Sequence, residues 1–203
     1  MRDFGYSKRG SDVNEAQAKV HAAAKDVVNR NDQRDPRTRR WLDAIEAFHA
    51  ARARLYPDAL GAVDQGSMPA SKVDTSEMLD FLEADPVVFR SGYLKEKLLT
   101  ELKRRKLDRH EARRLQKIIL AVIHKDDHRR EFSYYCRVAA NVDDRDFRSE
   151  LEALEQSHVP HVSQRANWVL AGLDGKWLDL RRAARGQEKR GDLYYRTESP
   201  RVS

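Results

Sequence analysis

A single cysteine, Cys136, stands among 203 residues. One thiol cannot close an internal disulfide, so nothing argues for an oxidising compartment. Long apolar runs are missing as well: no stretch approaches the roughly 18 consecutive apolar residues of a membrane span. The opening MRDFGYSKRG is polar where a signal peptide carries an apolar core. These absences point to a cytoplasmic protein with no membrane partner. No convincing alternation of Val, Ile or Thr is present, which argues against a sheet. GxSxG, the P-loop and GxGxxG are all absent, so nucleotide binding has no support and no cofactor is implied.

What the chain has is charge. Asp, Glu, Lys and Arg make up 35% of it, and the mean hydropathy is −0.82. Apolar residues nevertheless recur at helical spacing, so the low hydropathy reflects charged helix faces rather than disorder. Basic residues exceed acidic ones by 39 to 33. The excess is thin in every segment: 13 against 11 in residues 1–74, 18 against 17 in 75–173, and 8 against 5 in 174–203. A dedicated nucleic-acid binder concentrates its charge, so this balance favours nucleic acid only weakly.

The periodicity predicts an all-α fold. Residues 1–11 read as a flexible N-terminus, and 12–60 as a helical hairpin. Its first helix starts at Asp12 and carries Val13, Ala16, Val20, Ala24 and Val27. Its second carries Trp41, Ile45, Phe48 and Leu55. GAVDQGSMPASKVD, residues 61–74, has no period and reads as a linker. Thr75 or Ser76 then caps a helix with Met78, Leu79 and Leu82. Asp85-Pro86 ends it, and the next helix runs from about Val87 to Arg105. On that helix Val87, Leu94, Leu98 and Leu102 form one stripe and Phe89 with Tyr93 another, while Gly92 admits a neighbouring helix. From His110 to His124 apolar residues cover well over half the circumference, so this helix should be sandwiched. Helices with Phe132, Tyr135, Cys136 and Ala139, with Phe147, Leu151 and Leu154, and with Val162, Ala166, Val169 and Leu173 follow. A short helix over 176–184 closes the stack, and 186–203 is a polar tail.

The turns FLEADPVVFRSGYLKEKL, VIHKDDHRREFSYYCRVA and ALEQSHVPHVSQRANWVL can be laid over one another. Each joins two helices of a pair, and the pairs begin near Met78, His110 and Asp146, at intervals of 32 and 36 residues. This resembles HEAT-type α-solenoid repeats, with Arg90, Arg165 and Arg129 or Arg130 near the arginine place of the second helix. The resemblance spans residues 75–173 and implies a short right-handed αα-hairpin stack over 75–185, following the N-terminal hairpin. HEAT-like proteins include DNA glycosylases, but that family's catalytic motif maps onto no stretch here, and no catalytic residue is assigned.

The strongest functional signal is basic. Lys103, Arg104, Arg105, Lys106, Arg109, Arg113, Arg114 and Lys117 are interrupted only by Asp108 and Glu111, for a net +6 equal to the excess of the whole chain. Such a cluster could grip a polyanion. The bland alternative is a set of helix-capping and solvated side chains, and no aromatics are interleaved to stack bases. Arg90, Arg165 and Trp168 are the candidate protein contacts, Trp168 because the period places it opposite the buried face of its helix. His124 with His128 and His158 with His161 have spacings that could share a metal, yet neither HExxH nor a Cys pair supplies further ligands, so no metal site is assigned. Cys136 shares a face with Phe132 and Ala139 and reads as core. Solenoids favour recognition over chemistry, so the sequence reads as a non-enzymatic scaffold whose partner is a protein, with nucleic acid as the alternative partner.

Overall fold

A computed structural model describes residues 4–88, 91–127 and 129–176. Among them every regular element is helical: α1 Tyr6–Ala24, α2 Pro36–Ala53, α3 Asp58–Gln65, α4 Thr75–Ala84, α5 Ser91–Leu102, α6 Arg109–Ile123, α7 Phe132–Val138, α8 Arg145–Glu155 and α9 Pro160–Leu173. Two 3-10 turns, Ala70–Lys72 and Ala139–Val142, complete the set. Local chemistry fixes the starts. Asp35, Asp74, Asp108 and Asp144 each accept a hydrogen bond from a backbone amide of the first turn of α2, α4, α6 and α8. At α6 the cap is a full box, since the Glu111 carboxylate accepts in return from the Asp108 amide at 2.9 Å. The two acids that interrupt the basic cluster are therefore the start signal of α6.

The N-terminal hairpin begins earlier than its periodicity predicts. Gly5, with φ 65°, turns the chain into α1 at Tyr6, so most of the stretch expected to be flexible is helix. Tyr6 supplies the reason: it is buried edge-on against Phe81 of α4, with ring centroids 5.4 Å apart. Gly10 lies on Val88, where a Cβ would come within 2.6 Å of Cγ1. The base of the hairpin joins the core, with Phe48 and Ala51 of α2 packed against it. Val20, Trp41 and Ile45 are half-buried.

Residues 61–74 are not an unstructured linker. They hold the second half of α3 and a 3-10 turn, with Val63 and Val73 buried. Eight residues are too few to show a helical period convincingly against the flanking glycines and prolines.

Beyond Val73, α4 lies against α5 and α6, α5 against α7, and α7 against α9, while α8 pairs with α9. α6, touched by α4 on one side and by α9 and the second 3-10 turn on another, buries Leu115, Ile118, Ile119, Val122 and Ile123. Gly172 sets the α7 to α9 approach, because a Cβ there would fall 2.1 Å from the carbonyl oxygen of Cys136. The expected helix over 176–184, all but its first residue, and the tail lie outside the described residues.

The stretch after α4 departs most from expectation. Asp85 adopts a left-handed conformation, φ 45°, Pro86 to Val88 are non-helical, and α5 begins only at Ser91. Val87 is consequently 69% exposed instead of heading an apolar stripe, while Leu94, Leu98 and Leu102 keep theirs buried. Tyr93 is exposed at 42%, under the Arg130 guanidinium. Gly92 admits no helix. A Cβ there would stand 3.1 Å from the Glu131 carboxylate.

Candidate functional site

The sequence-predicted basic cluster separates into two groups. Arg105 is consumed at the end of α5: it pairs with Glu101 at 3.2 Å and donates to the Thr75 hydroxyl at 2.8 Å and to the carbonyls of Ala70 and Ser71. Arg113 donates to Asp146 at 3.1 Å and to Gln116, and Arg114 bridges Asp80 at 2.6 Å and Glu83 at 2.7 Å. These three arginines hold α4, α6, α8 and the first 3-10 turn together. Lys103, Arg104, Lys106, Arg109 and Lys117 are exposed, and no ion pair engages them among the described residues.

Arg165 and Trp168 also turn inward. Arg165 is buried, and its guanidinium donates to the carbonyls of Val122, Lys125 and Asp127, stacking 5.1 Å from the Phe132 ring. It satisfies carbonyls where α6 ends, work that residues near a helix C-terminus usually leave to a glycine cap. Trp168 is half-buried against Phe132, with centroids 5.9 Å apart. Arg90 lies outside the described residues, as do His128 and Trp177. Cys136 is fully buried, and burial pushes its thiol far above the ordinary range, which removes it as a nucleophile. Among the described residues no group of His, Cys, Asp and Glu could hold a metal ion.

Beneath the Asp85 turn lies an ion cluster that sequence reading did not find. Lys95, 1% exposed, donates to Asp85 at 2.7 Å and lies 3.4 Å from Glu131. Arg129 reaches Asp85 at 2.6 Å and also pairs with Asp127. Burial pushes the Asp85 carboxyl up, but Arg129 and Lys95 outweigh it and hold the group below the ordinary aspartate range. The Tyr135 hydroxyl is buried beside this cluster with no hydrogen-bond partner among the described residues. The carboxylates here are neutralised by cations and face inward, so the cluster fixes the α4 to α5 turn rather than offering reactive groups.

The open feature is a cleft of about 940 Å³ where the hairpin base meets α4 and α6. Asp74, Glu77, Asp80 and Glu83, at steps of three, line it from the α4 side. His110, Arg114 and Lys117 line it from α6, and Phe4, Tyr6 and Pro57 close one end. Arg114 neutralises Asp80 and Glu83, and Asp74 caps α4. Glu77 is left with no hydrogen bond or ion pair among the described residues. Burial and the repulsion of Asp74 and Asp80 raise its carboxyl above the ordinary range. Tyr6 is 5% exposed, borders the cleft, and its hydroxyl has no partner among the described residues. Burial, then Glu77 and Asp80, push that phenol well up, so it stays protonated. The acid stripe is legible in the sequence as a three-residue spacing. Tyr6 is not, because only the tertiary fold brings residue 6 beside residue 77.

No protein-family model matches the chain, and neither a curated protein nor a solved structure matches it.

Proposed function

We propose that the protein is a non-enzymatic helical scaffold that binds another protein, and that the cleft between α4 and α6 is its binding face. The observation that carries this reading is the concentration there of groups the fold does not use: the Glu77 carboxylate, the Tyr6 hydroxyl and the Lys117 ammonium beside a 940 Å³ concavity. Elsewhere the charged groups of the interior are paired within the chain. The side-by-side order of α4 with α6 and of α5 with α7 and α9 supports a HEAT-like arrangement of the helix pairs, an architecture that presents extended recognition surfaces.

Panning a phage-displayed library of 12-residue peptides on the wild type and on Ser76→Trp tests this, because Ser76 borders the cleft and an indole there fills it. Enrichment on the wild type alone supports the reading. Enrichment on neither protein, or equally on both, overturns it.

A second reading rests on Lys103, Arg104, Lys106 and Arg109, which are exposed and unpaired among the described residues at the α5 to α6 junction. There the partner is a nucleic acid held through its phosphates. Arg105, Arg113 and Arg114 do not support it, since their guanidinium groups are already engaged by acids of the same chain.

A further inference from the structure

Away from the cleft, α5 and α7 form a second surface, and what it would hold rests on the second reading of the α5 to α6 junction. Contacts at both ends show that the two helices run side by side in the same direction. At the start, Arg130, just ahead of α7, pairs with Glu96 of α5 and lies 4.0 Å from the centre of the Tyr93 ring. At the end, the Asn141 amide donates to the carbonyls of Leu102 and Lys103. The inward stripes bury Leu94, Leu98 and Leu102 on α5, and Phe132, Tyr135 and Cys136 on α7. The other side presents Tyr93, Glu96, Thr100 and Lys103 from α5, and Arg130, Tyr134, Arg137 and Asn141 along α7, at steps of three and four.

Charge and aromatic rings both point to a ligand on this face. Lys103 and Arg104 are exposed, and neither they nor Arg137 has an ion pair among the described residues. Glu96, the carboxylate among these side chains, is already taken by Arg130. The Arg137 guanidinium lies 5.0 Å from the centre of the Tyr134 ring, so each tyrosine of the face stands beside an arginine. Tyr93 is 42% exposed and Tyr134 is half-buried. Neither ring belongs to the sequence window from Lys103 to Lys117, so only the fold brings aromatics to the basic junction.

Phosphates alone gain little from exposed cations in salt. Stacking on an aromatic ring adds an attraction that is sequence-tolerant and needs an unpaired base. An acidic peptide would answer the cations and leave the rings unused, and a duplex keeps its bases stacked on one another. We infer that Tyr93, Tyr134, Arg137, Lys103 and Arg104 form a binding face for a single-stranded nucleic acid, with bases on the tyrosines and phosphates on the cations. From Tyr93 to Lys103 the face is about 15 Å long at ~1.5 Å per residue, room for a few nucleotides.

The test titrates fluorescein-labelled oligothymidylate and oligouridylate of twelve nucleotides, and a duplex of twelve base pairs, into the full chain by anisotropy at two salt concentrations. At least one single strand should bind about tenfold or more tighter than the duplex. Tyr93→Leu and Tyr134→Leu should each weaken the single strand by about tenfold and leave the duplex within about twofold, while Tyr93→Phe and Tyr134→Phe keep the affinity, because the ring is what stacks. Lys103→Gln combined with Arg104→Gln should reduce the slope of log affinity against log salt by about 1.4, for two single-strand phosphates at ~0.7 each. An unchanged far-UV circular dichroism spectrum shows that a variant is folded; where a leucine variant is not, the preference of the wild type for single strand over duplex decides. Equal affinity for single strand and duplex, reduced by the double glutamine variant and untouched by the leucine variants, overturns the stacking inference and leaves the phosphate grip of the second reading. No binding of any nucleic acid overturns both. Polyglutamate binding as tightly as the single strands would assign the face to an acidic protein segment and also overturn the inference.

Discussion

Replacing Arg165 by methionine separates a contact residue from a structural pin. The guanidinium donates to three carbonyls, those of Val122, Lys125 and Asp127, and lies 3.5 Å from the Asp127 carboxylate. Hydrogen bonds that involve a charged group contribute about 1.5–3 kcal/mol each, so the gross loss over three is about 5–9 kcal/mol. Two features reduce it. The Val122 carbonyl also accepts from the Lys125 amide at 3.2 Å, so it is not orphaned. The Asp127 side chain is 39% exposed, so water replaces part of what the arginine gave it. Methionine keeps most of the volume against Phe132, which limits the packing loss. The expected net cost is about 3 kcal/mol.

For a chain of this length each kcal/mol lowers Tm by about 2–4 °C, so the midpoint should fall by about 6–12 °C. Thermal unfolding followed in parallel by far-UV circular dichroism and tryptophan fluorescence measures this, and coincident curves establish that a single transition is being compared. Arg165→Lys should recover less than half of the loss, since one ammonium cannot fork to three carbonyls. A midpoint within about 2 °C of wild type would refute the argument and return Arg165 to the outward-facing role its sequence position suggests.

Other outcomes follow from the same contacts. Gly172→Ala should destabilise the chain by about 3 kcal/mol in urea, because its Cβ would sit 2.1 Å from a backbone oxygen that cannot rotate away; an unchanged midpoint would mean that α7 and α9 do not meet at Gly172. The Asp85 carboxyl is held low in the folded chain, so the stability it contributes is present above the ordinary aspartate value of 3.8 and is lost as pH falls through the lower folded value. Asp85→Asn keeps a residue that tolerates positive φ, so it should flatten this acid limb, and identical pH profiles would refute the pairing. Glu77 is raised instead, so its ionisation opposes folding as pH climbs through its folded value; Glu77→Gln should stabilise by about 0.3 kcal/mol at neutral pH, discounted for exposure, and not at all well below pH 4. Charge reversal at Lys103, Arg104, Lys106 and Arg109 should abolish any salt-dependent affinity for duplex DNA while leaving Tm unchanged; DNA binding that survives it would have to use other residues.

Periodicity carried the helices because it is local: the apolar positions of α6 lie within a turn or two of one another. Capping was read less well, since the cap expected at Thr75 or Ser76 is supplied by Asp74. Where tertiary contact decides, the sequence is silent. α1 extends back to Tyr6 because that ring is buried on Phe81, 75 residues away. α5 starts late because Asp85 is held by Lys95 and by Arg129, the second of these 44 residues distant. A proline after an aspartate marks the break but not the left-handed residue that redirects the chain.

The same distance explains why the basic cluster looked like a site. A window along the sequence sums the charges of near neighbours, and from Lys103 to Lys117 that sum is +6. Helices packed side by side bring together residues far apart in sequence, so the acids that answer Arg113 and Arg114 are Asp146 and Asp80, 33 and 34 residues away. No local window contains them. A run of like charge in a packed helical fold is therefore informative only after the opposite charges that neighbouring helices bring to it have been subtracted. Applied to α4, that subtraction removes Asp80 and Glu83 through Arg114 and leaves Glu77, whose neighbours are two more acids and a phenol with no partner. Burial and like charge oppose the ionised form of that carboxylate, so it is the acid of this wall that the fold itself leaves unanswered. A polyanion offered the exposed lysines at the α5 to α6 turn gains only the screened attraction of groups that water already serves.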